Sequence, residues 1–370
     1  MATIGGAVMG PAFWERVFAA PTIPGPSQYG PLQRRDANGL MLPEGFTSRV
    51  IARSGTPVVP APYIYPPFPD GAHTFAAAGG GWIHVVNSEF PVSTDSPIPD
   101  SIQRLGGVSA IRFDGAGELV DAYRILGDTR TNCAGGATPW GTWLSCEEFD
   151  DSIRGGSTAS AGLVWECDPA GSREAVVRPA LGAFKHEAAA VDPATNHVYL
   201  TEDVSDGRLY RFTPASFTGT AKDLEKGTLQ AAQLVGPKQG PWDVVWHTIA
   251  DPSAARESTR YQVTKATAFD GGEGCFFDSG IVYFTTKGDN RVWRLDPGDD
   301  SLRVHYDPAT SPDPQLTGVD NITGSPSGDL YVAEDGGNME VVQLLPDGRT
   351  IAAVRVTGQD DSEIAGLAFD

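Results

Sequence analysis

Asn132-Cys133-Ala134-Gly135-Gly136-Ala137-Thr138-Pro139-Trp140-Gly141-Thr142-Trp143-Leu144-Ser145-Cys146-Glu147-Glu148 is the stretch whose reading decides the fold. It reads as two short strands joined by a tight turn, which Pro139 and Gly141 punctuate. The first strand opens with an amide and a thiol, Asn132 and Cys133. The second, Thr142 to Cys146, is aromatic and apolar and closes on two carboxylates, Glu147 and Glu148. Soft and hard metal ligands therefore lie at the ends of adjacent strands.

Working outward, the same plan recurs along the chain. A short strand of small residues led by a polar one is repeated at Asp70-Gly71-Ala72-His73, His186-Glu187-Ala188-Ala189, Gly272-Glu273-Gly274-Cys275, Asp320-Asn321-Ile322-Thr323 and Glu363-Ile364-Ala365-Gly366. An apolar strand closed by an acid or polar residue follows, as at Trp82 to Glu89, His197 to Asp203, Ile281 to Asp289 and Leu330 to Asp335. A third, amphipathic strand often ends in an Asp-Pro or Asp-Gly turn. The leading strands start about 50 residues apart, a spacing that marks four-stranded propeller blades. The one long interval, from 186 to 272, holds an expected insertion at Ala215 to Lys265. Six polar-led inner strands predict an all-β, six-bladed β-propeller with a central metal-binding channel.

The expected organisation is an arm followed by one domain. Residues 1–45 read as the remnant of an export signal and an extended Pro- and Gly-rich segment. Residues 46–370 read as a single propeller. Glu363 to Phe369 is expected to form the last inner strand, and Thr47 to Ala52 an outer strand of the same blade. The middle strands of that blade are not accounted for, so it reads as incomplete. Residues 53–69 hold six prolines and predict a surface loop.

Composition narrows the function. Against 47 Asp and Glu stand 27 Lys and Arg, a net charge of −20. That excludes a nucleic-acid binder, which needs a basic face. No apolar run reaches transmembrane length, and no Cys-x-x-Cys suggests structural zinc. No nucleophile elbow, Walker loop or dinucleotide fingerprint occurs.

In a propeller all inner strands run the same way, so their leading residues meet at one mouth of the channel. The expected set is Asp70, Asn132, Cys133, Glu187, Glu273, Asp320, Asn321 and Glu363, with Glu147, Glu148, Glu202, Asp203, Glu334 and Asp335 at the nearby strand ends. A single acid after a strand is most often a turn residue. So many in a confined channel cannot all stay ionised without bound cations or raised pKa values. Carboxylates and amides suit calcium, while a thiolate among them suits a transition metal such as iron. Cys146, Cys167 and Cys275 read as small core residues, His73 and His84 as structural or surface, and His186 as a supporting donor or a ligand. A catalyst of this kind would attack through metal-bound water, hydroxide or oxide. Lys185 and Lys287 are the candidate contacts for an anionic substrate.

At these residues the chain resembles the PhoX-type alkaline phosphatases. The resemblance is strongest at Asn132 to Glu148 and recurs at Phe184-Lys185-His186-Glu187-Ala188, Tyr199-Leu200-Thr201-Glu202-Asp203, Val85-Val86-Asn87-Ser88-Glu89, Glu273-Gly274 and Tyr331-Val332-Ala333-Glu334-Asp335. It implies an iron and calcium cluster, hydrolysis of small phosphate monoesters, and export to an extracytoplasmic location, commonly through a twin-arginine signal. It implies that Cys133, Glu187 and Glu273 are catalytic iron ligands, and that Asn132, Glu147, Glu148, Glu202, Asp203, Asp320 and Glu334 hold calcium or bridge ions. The protein is expected to act as a monomer, without membrane insertion. One departure stands out: where the family pattern has a phosphate-binding arginine two residues before the glutamate, this chain has Gly271. That leaves two other expectations in play: a calcium-dependent lactonase or esterase, and a non-catalytic, metal-stabilised binding propeller.

Overall fold

The computed structural model describes residues 29–90, 106–149, 162–312, 314–359 and 362–370. Within them the chain is built of strands and short 3-10 turns, with no α-helix. The first blade contains β2 (Pro69–Ala76), β3 (Trp82–Ser88), β4 (Gly106–Phe113) and β5 (Leu119–Thr129). The second contains β6 (Asn132–Ala137), β7 (Trp143–Glu147), β8 (Val164–Cys167) and β9 (Val176–Val177). The third contains β10 (His186–Val191), β11 (Val198–Glu202), β12 (Leu209–Pro214) and β13 (Gly227–Val235). The fourth contains β15 (Gly272–Asp278), β16 (Ile281–Thr286), β17 (Arg291–Asp296) and β18 (Ser301–Tyr306). The fifth contains β19 (Val319–Gly324), β20 (Leu330–Glu334), β21 (Glu340–Leu344) and β22 (Thr350–Val356).

All pairings are antiparallel. Each blade's first strand contacts the first strand of the next, in the order β2, β6, β10, β15, β19. This is a β-propeller, with the leading strands around a central channel. The small residues of those strands are a steric requirement. A side chain begun at Gly136 would lie 1.7 Å from the Ala189 carbonyl oxygen of the neighbouring blade.

Apolar clusters fill the seams between blades. Leu144, Cys146 and Val164 pack with Leu200, Tyr210 and Phe212 between the second and third. Cys275, Phe284 and Leu295 pack with Tyr199 and Leu209 between the third and fourth. Cys167 lies between the first and second. Each fully buried Leu or Phe contributes about 1.5–3 kcal/mol, so these seams hold the ring together.

The insertion does two structural jobs. It adds β14 (Trp242–Thr248), which pairs with β13 and with β18 and so joins the third and fourth blades into one sheet. It also returns Arg260, on a 3-10 turn at Thr259–Tyr261, to the third blade.

The closing position of the ring differs from expectation. Glu363 to Phe369 lies between the fifth and first blades, but it makes a single bridge, Asp335 to Glu363, and no ladder. It is held by the Ile364 amide on the Glu334 carbonyl, by the Gly366 amide on Asn321 Oδ1, and by Thr74 Oγ1 on the Phe369 carbonyl. Thr47 to Ala52 is also not a strand. Both corrections have one cause: among the described residues no second strand lies beside either segment to complete a ladder. The arm instead contributes β1 (Leu40–Met41), which pairs with the outer edge of β22. The expected loop runs over residues 53–68, Pro69 being the first residue of β2, and it is anchored by Val58, Ala61 and Tyr65 against the first blade. The proposed signal remnant lies outside the described residues.

Candidate metal centre at the channel mouth

The same irregularity occurs in all five leading strands. Pairing slips by a β-bulge between Pro69 and Ala72, Asn132 and Gly135, His186 and Ala189, Gly272 and Cys275, and Val319 and Ile322. A bulge takes a residue out of the ladder and re-aims its side chain. The residue re-aimed is the second of each strand: Asp70, Cys133, Glu187, Glu273 or Asp320. All five are buried.

Their donor atoms form linked triads, three of which include the residue that follows a second strand. Asp70, Glu89 and Cys133 form one, and Cys133, Glu148 and Glu187 the next. Glu187, Glu273 and Asp320 form a third, and Asp320, Asp335 and Glu363 a fourth. Within each triad the ligand atoms lie within 4.8 Å of one another. Of the expected residues, Cys133, Glu148, Glu187, Glu273 and Asp320 are thus brought together. Asp203 stands at the same rim, near enough to raise the pKa of Glu148 and Glu273, though it belongs to none of the triads.

Asn132, Glu147, Glu202 and Glu334, expected as ligands, belong to none of the triads and are engaged by other partners in this structure. Asn132 accepts from Thr129 Oγ1 at 2.6 Å and donates to Ser145 Oγ at 3.0 Å. The three glutamates each close a second strand and bind loop backbone. Glu147 accepts from the Arg130 and Leu163 amides at 3.3 and 3.1 Å. Glu334 accepts from the Thr317 and Glu340 amides at 2.8 and 2.9 Å. Glu202 accepts from the Arg208 amide, Tyr210 Oη and Arg260 Nε at 3.1, 2.9 and 2.9 Å. In each adjacent pair it is the following residue, Glu148, Asp203 or Asp335, that reaches the mouth.

Glu89 and Asp335 carried no ligand assignment in the sequence reading, although both follow the end of a second strand as Glu148 does. Asp70 and Glu363 were placed at the mouth without a ligand role. The signal that identifies all four is the phase of the repeat.

The loop-binding role is directly testable. Glu334→Gln keeps the shape but turns the side-chain amide NH2, a donor, toward one of the two backbone N–H groups that Glu334 accepts from. It should cost about 1–3 kcal/mol in urea denaturation, with metal content unchanged. Loss of a metal ion at unchanged stability would restore Glu334 as a ligand.

The electrostatics of the ring are those of confined anions. Burial, then the nearby Asp320 and Glu363, holds the Asp70 carboxyl well above its usual range. Burial, then Glu273 and Asp70, does the same to Glu187. Burial pushes Asp320 to about 6, Glu363 to about 7 and Glu89 to about 9. Glu89 and Glu148 share a hydrogen bond, as two carboxyls do when one keeps a proton. The Cys133 thiol is raised by burial and by Asp70, to which it donates at 3.0 Å.

Two ammoniums face this ring. Lys185 Nζ lies 2.6 Å from Glu148 Oε1 and donates to the Asp203 carbonyl at 3.1 Å. Lys287 Nζ lies 2.7 Å from Glu273 Oε1 and 3.4 Å from Asp335 Oδ2. His186 turns away: its Nε2 pairs with the Gly182 carbonyl, and burial lowers its pKa to about 3, so it stays neutral.

Both oxygens of Glu187 and Oδ1 of Asp70 are buried without a hydrogen-bond partner. An unpaired buried carboxylate is too costly to leave as it stands. A cation among these donors would satisfy it, so the residues present fit a metal site.

Comparison with known proteins bears on the family and the fold. The sequence model of the family described as Alkaline phosphatase PhoX matches residues 120–369. The fold is similar to that of Pseudomonas fluorescens PhoX, solved in complex with vanadate, a transition state analogue. Identity is 20%, covering 90% of this chain and 89% of that one, with a TM-score of 0.72. A gluconolactonase from Xanthomonas campestris matches at 14% identity over 95% and 92% of the chains, with a TM-score of 0.42. No curated protein matches the sequence.

Proposed function

The chain belongs to the PhoX alkaline phosphatase family, and from that premise we propose that its channel mouth binds iron and calcium and hydrolyses small phosphate monoesters. One observation carries the metal part of this reading. Glu187, 1% exposed and with both oxygens unpartnered, is shared by a thiol-bearing triad on one side and an all-carboxylate triad on the other. Cys133 joins two triads and favours iron there. Asp320, Asp335 and Glu363 offer only hard oxygens, as calcium prefers. When bound, such ions draw charge from a phosphoryl group and supply the attacking oxygen at neutral or alkaline pH.

The chain's own residues do the rest. In this reading Cys133, Glu187 and Glu273, each on a bulged strand, are the catalytic donors. Lys185 and Lys287, 29% and 37% exposed, face both the acid ring and solvent, where they draw a phosphate dianion toward the mouth. The wall beside Lys287 is Gly271, at φ +67°, a backbone conformation that side chains rarely adopt. An arginine at this position would be strained, and the positive group this chain does place on the wall is Lys287. Among the described residues no helix is long and apolar enough to cross a membrane. By its family the protein works outside the cytoplasm.

The test is turnover of a chromogenic phosphomonoester at alkaline pH by protein loaded with iron and calcium. Activity above that of a Glu273→Ala variant is expected. No activity there, with activity on lactones or carboxyl esters in calcium alone, would replace the phosphatase reading.

Metal removal should also expose the raised pKa values. Asp320, Glu363 and Glu89 titrate higher folded than unfolded, so the folded chain holds more protons between about pH 4 and 9. Stability is then full below about pH 4 and falls as pH rises through the folded values. Chelator-stripped protein should melt at a lower temperature at about pH 9 than at about pH 5, and added metal should close the difference. A melting temperature that rises with pH in the stripped protein would contradict the crowded-acid description.

A further inference from the structure

The position after the second strand is a carboxylate in four of the five described blades: Glu89, Glu148, Asp203 and Asp335. In the fourth blade it is Lys287. Its ammonium reaches Glu273 and Asp335 together, at 2.7 and 3.4 Å. Those acids belong to different triads, which share Asp320. Lys185 differs, because its ion pair is to Glu148 alone and its second contact is a backbone carbonyl.

The lysine is also held in place. Its amide donates to the Gly271 carbonyl at 2.8 Å, and its Cβ lies 3.6 Å from where a side chain at Gly271 would begin. The unpartnered oxygens of Glu187 and Asp70 lie in the triads that Cys133 joins or in the one centred on Glu187. Lys287 already brings a positive charge to Glu273 and Asp335, whereas the unpartnered oxygens of Glu187 and Asp70 meet no ammonium.

We propose that Lys287 is a built-in counter-ion that takes the place of one divalent cation between the fourth and fifth blades, and so sets how many metal ions the ring holds. A fixed +1 at this position repels a further divalent ion from the gap between Glu273 and Asp335 and engages one donor from each of two triads. The inference rests on the metal reading given above.

The experiment is calcium titration of chelator-stripped protein by calorimetry, with elemental analysis, for the wild type, Lys287→Asp and Lys287→Met. Lys287→Asp restores the carboxylate of the other blades and should bind one more calcium per chain. Lys287→Met keeps the stem without the charge and should tighten the weakest calcium step at least tenfold. Thermal melting checks that each variant folds, and Lys287→Met decides alone if Lys287→Asp does not. A wild type that binds calcium, with count and affinity unchanged in the folded variants, overturns the counter-ion role alone. A wild type that binds no metal overturns the metal reading and this inference with it.

Discussion

Glu187→Ala is expected to lower phosphomonoester hydrolysis by roughly 10³-fold or more, the scale on which removing one member of a preorganised charge-stabilising set acts. Glu187 is the hinge of the ring, because two donor triads share it. Its loss weakens metal binding on both sides, so metal content should fall together with kcat. A purely structural role for Glu187 would leave content per folded chain intact. Glu187→Gln adds a second reading. It removes a buried, unpartnered charge, so the stripped variant should melt above the stripped wild type at alkaline pH. With metal present the order should reverse, because the wild type gains the carboxylate–metal interaction and the variant does not. A variant that melts below the wild type in both states would contradict the account of Glu187 as a metal donor held in an anionic ring.

Arg260→Ala is expected to give the largest stability loss, about 3–5 kcal/mol in urea denaturation, the usual cost of stranding one partner of a buried ion pair. Arg260 and Glu202 have side chains 6% and 0% exposed, with Nε to Oε1 at 2.9 Å. Without the guanidinium, Glu202 keeps Tyr210 and the Arg208 amide but loses its charge partner. Burial already pushes Glu202 to about 7 with Arg260 in place. Arg291 is the internal comparison. It pairs with two aspartates, Asp289 and Asp307, but its side chain is 35% exposed, so Arg291→Ala should cost no more than about 1 kcal/mol. Equal losses at the two positions would show that burial does not set the value of these pairs.

The strands and their order were legible because each blade writes the same pattern: small residues crowding the axis, an apolar second strand, then a turn. The convergence of Cys133, Glu187, Glu273 and Asp320 followed from that order alone. Which of two neighbouring acids faces the channel did not. Successive side chains on a strand point to opposite sides, so Glu147 and Glu148 differ only in phase. That phase is set by where the ladder ends, which is a property of backbone pairing and not of residue type. The bulges that aim Asp70 and Cys133 inward are hidden for the same reason. The partnership of Glu202 with Arg260 was out of reach because the arginine arrives from an insertion 58 residues away. The closing segment from Glu363 was expected to be a strand on pattern, yet a ladder needs a neighbour as well as a pattern.

Most directly, the central claim rests on whether metal sits beside Cys133 and Glu187. Crystals grown with iron and calcium should give an anomalous difference peak at the iron edge within bonding distance of Cys133 Sγ and the Glu187 carboxylate. A channel mouth without any such peak, its acids protonated and hydrogen-bonded to one another, would contradict the account.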